Sequence, residues 1–161
     1  VKCSEDGTGT GADSVGVGIR AEQEARWQWD GSPVQDLAPS SDGQLVAVAH
    51  KSGAVVLWST PFQELYGDLA AAPMGCHGTS GRALVPDPVC VCFAPFLPYV
   101  AVGYKDGKVR LFSTATRECV ALFSEHKLPV LQLVFLPNTN RLLSAGDDGV
   151  LAAYACDFPV L

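Results

Sequence analysis

A glycine-centred turn recurs three times along the chain, and this repetition limits the possible folds more than any other feature. The turn glycine lies in "KSGAVVLW", "KDGKVRLF" and "DDGVLAAY", and an aromatic residue follows it five positions later in every copy. Aligned on these glycines, residues 37–58, 91–112 and 133–154 match without gaps. Successive copies are 54 and 42 residues apart, a spacing typical of repeat architectures in which one supersecondary unit packs on the next.

Each copy has the pattern of a small antiparallel sheet. The runs "QLVAVAH" and "AVVLWS", like "YVAVGYK" and "KVRLFS", flank a Ser-Gly or Asp-Gly turn, which is a strong short-range signal for a β-hairpin. A short apolar strand precedes each hairpin, and "FQELY" or "ECVALF" follows two of them as a fourth strand. Helix signals are scarce, the best being the short polar "AEQEAR". The sequence therefore predicts an all-β fold.

Several of these strands are apolar on both sides, as "VCVCF" and "LQLVFL" show. A strand with one face in water alternates polar and apolar residues, so these strands are expected to be covered on both faces. Four-stranded sheets that recur every 40 residues or so and cover one another around an axis form a β-propeller.

The repeats resemble those of the WD40-repeat family. The segments "LVFLPNTNRLLSAGDDGVLAAY" and "VCFAPFLPYVAVGYKDGKVRLF" match the spacing of that unit, and the resemblance covers about residues 27–158. It implies β-propeller blades of four antiparallel strands, incomplete here at about two and two-thirds blades. We therefore expect a segment of a longer chain, whose remaining blades would be its neighbours.

The family motifs are present in divergent form. The Trp-Asp pair that ends the third strand is replaced by Trp58-Ser59, Phe112-Ser113 and Tyr154-Ala155, and the Gly-His pair appears once, as Glu125-His126. The resemblance implies a hydrogen-bonded set within a blade, and only the third blade offers the residue types for it. That predicted structural set consists of His126, Ser144, Asp148 and Tyr154, with tyrosine in the place of tryptophan.

The chain divides into blades and two segments that do not repeat. Residues 1–26, with "SEDGTGTGADSVGVG", are predicted to be a flexible Gly-rich, acidic tail. Residues 27–161 are predicted to form the blades: 27–66 the first, with a preceding outer strand at 27–29; 88–126 the second; and 127–161 a truncated third. Residues 67–87 are predicted to be an insertion loop, because they carry Gly, Pro, Ala and Ser with little periodicity.

Composition narrows the function classes. The formal net charge is −6, which disfavours nucleic acid and anionic lipid as partners, because both attract basic surfaces. No apolar run reaches the length of about 20 residues that a membrane-spanning helix needs. The six cysteines are expected to be reduced in a cytoplasmic protein, with a cytoskeletal or ciliary location as the narrower alternative.

Three motifs could carry chemistry, and each has a simpler interpretation. "GTGTGA" fits a dinucleotide fingerprint but lacks the strand before it and the helix after it. Cys76-His77 and Cys90-x-Cys92 have metal-ligand residue types without the tight turns of a zinc site. His126, Ser144 and Asp148 could form a catalytic triad, but no nucleophile elbow is present. We expect no enzyme activity, no cofactor and no metal.

The predicted function is a non-catalytic protein-interaction scaffold whose partners bind turns at the rim. In the WD40 family that surface is built from the turns between the second and third strands and the segments leading into the first strand. Here these are residues 50–52, 104–106 and 146–148, with 30–32 and 126–128. The predicted partner contacts are His50, Lys51, Tyr104, Lys105, Asp147, Asp30 and Lys127, and Tyr104 would be the main anchor if it is exposed.

An architectural role is the alternative, in which these blades complete a propeller within a large ciliary, centriolar or cytoskeletal assembly. In that case the blade sides and the insertion, and not the rim, would carry the contacts. The basic residues Lys105, Lys108, Arg110 and Lys127 are interpreted as a solvated surface.

Overall fold

The computed structural model describes residues 22–69 and 86–158, and all regular structure in these ranges is β. Three antiparallel sheets follow one another along the chain: a first blade of four strands, a second of four and a third of three. The all-β prediction and the incomplete third blade are confirmed. The strands are β1 (Val34–Pro39), β2 (Leu45–His50), β3 (Val55–Ser59) and β4 (Glu64–Asp68) in the first blade; β5 (Pro88–Phe93), β6 (Tyr99–Tyr104), β7 (Val109–Ser113) and β8 (Cys119–Phe123) in the second; and β9 (Val130–Phe135), β10 (Arg141–Gly146) and β11 (Leu151–Ala155) in the third.

The turn glycines of the repeat join the second and third strands of every blade. Gly53, Gly107 and Gly149 all have positive φ, at 99°, 77° and 76°. This conformation is open to glycine at little cost, whereas a side chain disfavours it. The sequence signal on which the repeat was aligned is therefore a requirement of the backbone in each hairpin.

The innermost strand of each blade carries a bulge at the same repeat position. The pairing of β1 with β2 skips Gln35, that of β5 with β6 skips Val89, and that of β9 with β10 skips Leu131. A bulge bends its strand and raises the local twist. The first strands of the three blades are therefore expected to bend at the same repeat position.

The blades pack face to face, with β1 beside β5 and β5 beside β9. One buried cluster joins the first blade to the second and includes Leu57 and Phe112. A second cluster joins the second blade to the third and includes Val109 and Leu142. Asp36 adds a polar link, because its carboxylate accepts a hydrogen bond from the backbone N–H of Val91 at 2.9 Å.

Each blade has a front face toward the preceding blade and a back face toward the following one. The front face of the first blade includes Leu37, Val48 and Trp58, and among the described residues Trp27 covers part of it. Leu37 is 59% exposed, whereas Val91, at the same repeat position in the second blade, is buried. The first blade therefore presents an incompletely covered apolar face.

The back face of the third blade is open as well. Register places Val134, Leu143 and Ala153 side by side, with Leu151 opposite Ala145. Leu151 is 70% exposed, while the residues at its repeat position in the other blades are buried. Both ends of the stack thus expose apolar surface of a kind that is covered between the blades.

Two predicted boundaries need correction. The fourth strand of the first blade extends to Asp68, and Leu69 beyond it is buried, so the insertion cannot begin at Gly67. Residues 27–29 form no strand, because no neighbouring strand in the described ranges pairs with them. Most of the predicted insertion, residues 70–85, and most of the predicted tail, residues 1–21, lie outside the described residues. None of the described residues belongs to a helix that could cross a membrane.

Candidate functional site

The turn between the second and third strands of each blade is bonded to the segment that leads into its first strand. The same backbone hydrogen bond occurs in all three blades, between residues at the same repeat position. It runs from the N–H of Lys51 to the carbonyl of Pro33 (2.9 Å), from Lys105 to Asp87 (3.0 Å) and from Asp147 to Pro129 (2.9 Å).

The third blade strengthens this link with a chain of side chains. His126, in the lead-in segment, contacts the carboxylate of Asp148 through Nδ1 at 3.1 Å and the hydroxyl of Ser144 through Nε2 at 2.6 Å. The Ser144 hydroxyl in turn lies 3.2 Å from the hydroxyl of Tyr154. The structure thus brings together all four residues predicted as a structural set.

The carboxylate of Asp148 accepts the hydrogen bonds that hold this group of side chains together. Its carboxylate accepts hydrogen bonds from the backbone N–H groups of Lys127 at 2.9 Å and Val150 at 3.1 Å. The Lys127 bond, followed by that to His126, lowers the pKa of Asp148 below its usual value of 3.8. The carboxylate therefore stays charged and keeps the lead-in segment attached to the turn.

The same geometry could suggest a catalytic Ser-His-Asp set, but Ser144 is buried. A nucleophile must reach a substrate and stand near donors that stabilise an oxyanion. Ser144 instead lies inside the blade with its hydroxyl between His126 and Tyr154. The arrangement holds strands together and offers no access to a substrate.

The first blade links the same two segments with different residues. Asp30 occupies the repeat position of His126, and Ser52 that of Asp148. Hydrogen bonds from Ser52 and from the backbone and hydroxyl of Ser32 lower the pKa of Asp30 to about 2. His50 lies 3.9 Å from Asp30, with its Nδ1 3.4 Å from the carbonyl of Ser32.

In the second blade an ion pair between Lys105 and Asp87 makes the link, and a second pair lies within the hairpin. Lys105 donates to Asp87 at 2.7 Å, and Arg110 donates to Asp106 at 3.0 Å across the turn. The Arg110 guanidinium also lies 4.4 Å from the centre of the Tyr104 ring. The Lys105–Asp87 pair is exposed and contributes little to stability, whereas the Arg110 side chain of the other pair is buried.

Tyr104 is fully buried, with 0% exposure, so the prediction that it anchors a partner is wrong. Its ring packs in the cluster between the first and second blades, and burial raises the pKa of its hydroxyl. The hydroxyl has no hydrogen-bond partner among the described residues. Tyr104 ends β6, and its side chain turns toward the neighbouring blade and away from solvent.

His50, at the same repeat position in the first blade, is likewise buried and does not present its ring at the rim. Its Nε2 has no partner among the residues that the structure describes. The other predicted contacts are exposed, and three of them share one repeat position at the start of the turn. The exposed set is Lys51, Lys105, Asp147, Asp30 and Lys127.

The remaining predicted motifs offer no site in the described ranges. Burial, together with the negative charge of Asp36, raises the pKa of Cys90 to about 12, which keeps the thiol protonated at neutral pH. No group of three or more potential metal ligands occurs within residues 22–69 and 86–158. "GTGTGA" and Cys76-His77 lie outside those residues.

Sequence reasoning missed the Arg110–Asp106 pair and the bond from Asp36 to the next blade. The first has a local signal, because an acid and a base flank the turn glycine at a spacing of four residues. The second joins residues 55 positions apart and has no local signal.

The repeats match a known family, and the chain matches parts of several characterised proteins. The family model described as "WD domain, G-beta repeat" matches residues 24–59, 78–113 and 117–152. The chain is 26% identical over 115 residues to meiotic recombination protein rec14 of Schizosaccharomyces pombe, covering 71% of this chain and 34% of that protein.

Two relatives from Chlamydomonas reinhardtii are also similar. Cilia- and flagella-associated protein 44 is 32% identical over 117 residues, which cover 70% of this chain and 6% of that protein. Centriole proteome protein 16 is 31% identical over 55 residues, or 34% of this chain and 3% of that protein. The chain spans about a third or less of the length of these relatives. Because the three family matches cover more than half of the sequence, the chain belongs to the WD40-repeat family.

Proposed function

We propose that the chain is a protein-interaction scaffold whose partner binds the rim turns of the three blades. Repeats of this family generally act as non-catalytic scaffolds. The proposal depends mainly on one observation: the same backbone bond holds each turn to its lead-in segment in all three blades. A rigid surface binds with less loss of conformational entropy than a mobile one, so such turns suit recognition.

Three of the five exposed residues predicted at this rim are lysines. Lys51 and Lys105 occupy one repeat position in neighbouring blades, and Lys127 lies on the next lead-in segment. Neither Lys51 nor Lys127 forms an ion pair with another described residue. Lysines on a chain of net charge −6 would favour a partner with acidic or polar groups opposite them.

Charge reversal at the rim tests the proposal. We expect Lys51→Glu and Lys127→Glu to reduce affinity capture of bound proteins, because like charges across an interface are unfavourable. Both side chains are exposed, so the thermal unfolding midpoint should stay at the wild-type value. Arg117→Glu, an exposed substitution in the turn at the opposite end of the second blade, is the matched control. Capture unchanged by the rim variants but lost in the Arg117 variant would refute the proposal.

An architectural role in a ciliary or centriolar assembly is the second candidate. It is favoured by the names of the two Chlamydomonas relatives and by the open apolar faces at both ends of the stack. Here the contacts would lie on blade faces or the inserted segment. Deletion of residues 70–85 would then abolish incorporation into the assembly while the rim substitutions leave it unchanged.

A further inference from the structure

Phe96, in the turn between β5 and β6, is both exposed to solvent and in an unfavourable backbone conformation. Its side chain is 85% exposed and its φ is 58°. A bulky residue resists this left-handed conformation, whereas asparagine and glycine adopt it more readily. The third blade has Asn138 at the same repeat position, with φ 56°, and in the first blade the positive φ falls on Gly43, one position later. A phenylalanine at this position therefore adds two costs that the turn itself does not require.

A cavity of about 390 Å³ lies beside Phe96, between the first and second blades. It is formed where the turn between β1 and β2 meets the turn between β5 and β6, at the end of the blades opposite the rim. Its apolar lining includes Phe93, Leu97 and Pro98 of the second blade. Each of the two blades that enclose it has all four strands. The cavity is thus a feature of two complete neighbouring blades.

A hydrogen bond ties the two turns together beside this cavity. The hydroxyl of Ser41, in the first blade, accepts it from the backbone N–H of Phe96 at 3.4 Å. Asp42, the next residue in the chain, lines the same cavity as Phe96. The bond therefore fixes the turn that carries the carboxylate relative to the turn that carries the aromatic ring.

Asp42 is the one charged residue among those that line the cavity. Its Oδ1 accepts hydrogen bonds from the hydroxyl of Ser40 at 2.5 Å and from the backbone N–H of Gln44 at 3.0 Å. These bonds, that of Ser40 foremost, lower the pKa of Asp42, so the carboxylate is ionised at neutral pH. It forms no ion pair with another described residue. Because both hydrogen bonds go to Oδ1, Oδ2 is available to a donor from outside.

A carboxylate that shares a cavity with an exposed aromatic ring fits the side chain of an arginine. A guanidinium is planar, donates hydrogen bonds to carboxylates and stacks on aromatic faces. Its aliphatic stem covers apolar surface of the kind that Leu97 and Pro98 provide. The formal net charge of −6 favours a basic partner as well. The volume is near the lower end of the range of about 300–1,000 Å³ for ligand sites, which suits one or two side chains.

From these observations we propose that the cavity between the first and second blades binds an arginine-containing segment of a partner protein. The guanidinium donates to Oδ2 of Asp42 and stacks on the ring of Phe96, and an apolar neighbour in the segment packs on Phe93 and Leu97. The cavity is at the opposite end of the blades from the rim, so this binding goes beyond the proposed function and does not rest on it.

Nuclear magnetic resonance of the isotope-labelled 161-residue chain tests the proposal. The probe is a short peptide with one arginine between two leucines, acetylated and amidated at its ends. We expect saturable shift changes at the backbone amides of Gln44 and Phe96. Asp42→Asn should weaken binding about tenfold, because a hydrogen bond to a charged group is lost. The same peptide with citrulline in place of arginine keeps the shape without the charge, and it should also bind about tenfold more weakly.

Phe96→Asn separates a residue that contacts a partner from one that supports the fold. We expect it to weaken peptide binding at least about threefold, because the stacking contact is lost. The same substitution should raise the thermal unfolding midpoint, because asparagine adopts a positive φ more readily. Phe62→Asn is the control, at a residue that is 75% exposed and outside the cavity, and it should bind the peptide like the wild type.

Several results would overturn the proposal. The first is an absence of shift changes at Gln44 and Phe96 at every soluble concentration of the arginine peptide, and the second is equal binding of the citrulline peptide. A lysine peptide that binds as tightly as the arginine peptide would show that charge alone is recognised. A lower unfolding midpoint in Phe96→Asn would show that the ring serves the fold. Shift changes at the same amides when the chain is concentrated without peptide would assign the cavity to a second copy.

Discussion

At the scale of single residues, a side chain at position 107 would be unfavourable for two separate reasons. Its φ is 77°, in the left-handed region, and a Cβ there would collide with the carbonyl oxygen of His126. Gly149 has nearly the same φ, at 76°, but a Cβ there would meet nothing within 4 Å. The two glycines therefore separate the conformational cost of a side chain from its steric cost.

We expect Gly107→Val to lower the free energy of unfolding by more than about 1 kcal/mol, because a β-branched residue resists positive φ. Gly149→Val should lower the free energy of unfolding by less, since it has the conformational cost of positive φ without the steric clash. Urea denaturation of both variants gives the comparison. Equal losses of unfolding free energy at the two sites would show that the backbone at His126 can move away from a side chain at residue 107 without cost. That result would contradict the close packing of Gly107 against His126.

Two substitutions of Tyr104 test how its buried side chain affects the stability of the fold. Tyr104→Phe removes a buried hydroxyl that has no partner in the described residues, so we expect a change between neutral and about 1 kcal/mol of stabilisation. Tyr104→Ala leaves a cavity between two blades and should cost about 3–5 kcal/mol. Urea denaturation distinguishes these outcomes, and a large loss in the phenylalanine variant would imply a hydrogen bond to that hydroxyl.

At the scale of elements, the three blades join the turn to the lead-in segment with different side chains. The third blade uses His126 with Asp148, the first uses Asp30 with Ser32 and Ser52, and the second uses Lys105 with Asp87. The backbone bond from turn to lead-in segment is common to all three. The repeat therefore preserves a geometry, and the side chains that support it vary.

Acid should weaken the link in the third blade. The pKa of Asp148 is lowered in the folded state, so its contribution to stability is present above its unfolded value of 3.8 and is lost as pH falls through the folded value. We therefore expect the urea midpoint of the wild type to fall more between pH 7 and pH 2 than that of Asp148→Asn.

The neighbouring Asp147→Asn serves as the control for this comparison. The Asp147 side chain is exposed and takes part in none of the side-chain hydrogen bonds of the rim. Its variant should follow the pH dependence of the wild type. An acid response of Asp148→Asn that is indistinguishable from that of the wild type would show that this carboxylate does not stabilise the blade.

At the scale of the whole molecule, the second blade is the one covered on both faces within the described residues. Its front face packs in the cluster with the first blade and its back face in the cluster with the third. β6 and β7 also have a paired strand on either side. These two strands should form the most stable part of the stack.

Hydrogen exchange of backbone amides measures this directly. We expect amides of β6 and β7 to exchange slowest, and those of the outer strands β4 and β8 to exchange faster, because an outer strand opens without disturbing the packed faces. Exchange followed by mass spectrometry after proteolysis resolves these segments. Protection in β4 equal to that in β6 would contradict the stacking order.

The sequence by itself determined the strands, the hairpin turns and the number of blades. These features depend on local requirements: a positive φ that favours glycine at Gly53, Gly107 and Gly149, and apolar runs of strand length between them. It also predicted the residue types of the His126 set, because in the third blade those residues stand at the spacing of the family motif.

The tertiary structure alone decided which of the predicted rim residues face solvent. Tyr104 and His50 end their strands beside exposed lysines, and nothing local separates buried from exposed there. Tyr104 is buried by the neighbouring first blade, and His50 lies against the lead-in segment before β1. The open ends of the stack are decided in the same way, because a face is covered or exposed according to the blade beside it, and that neighbour is distant in sequence.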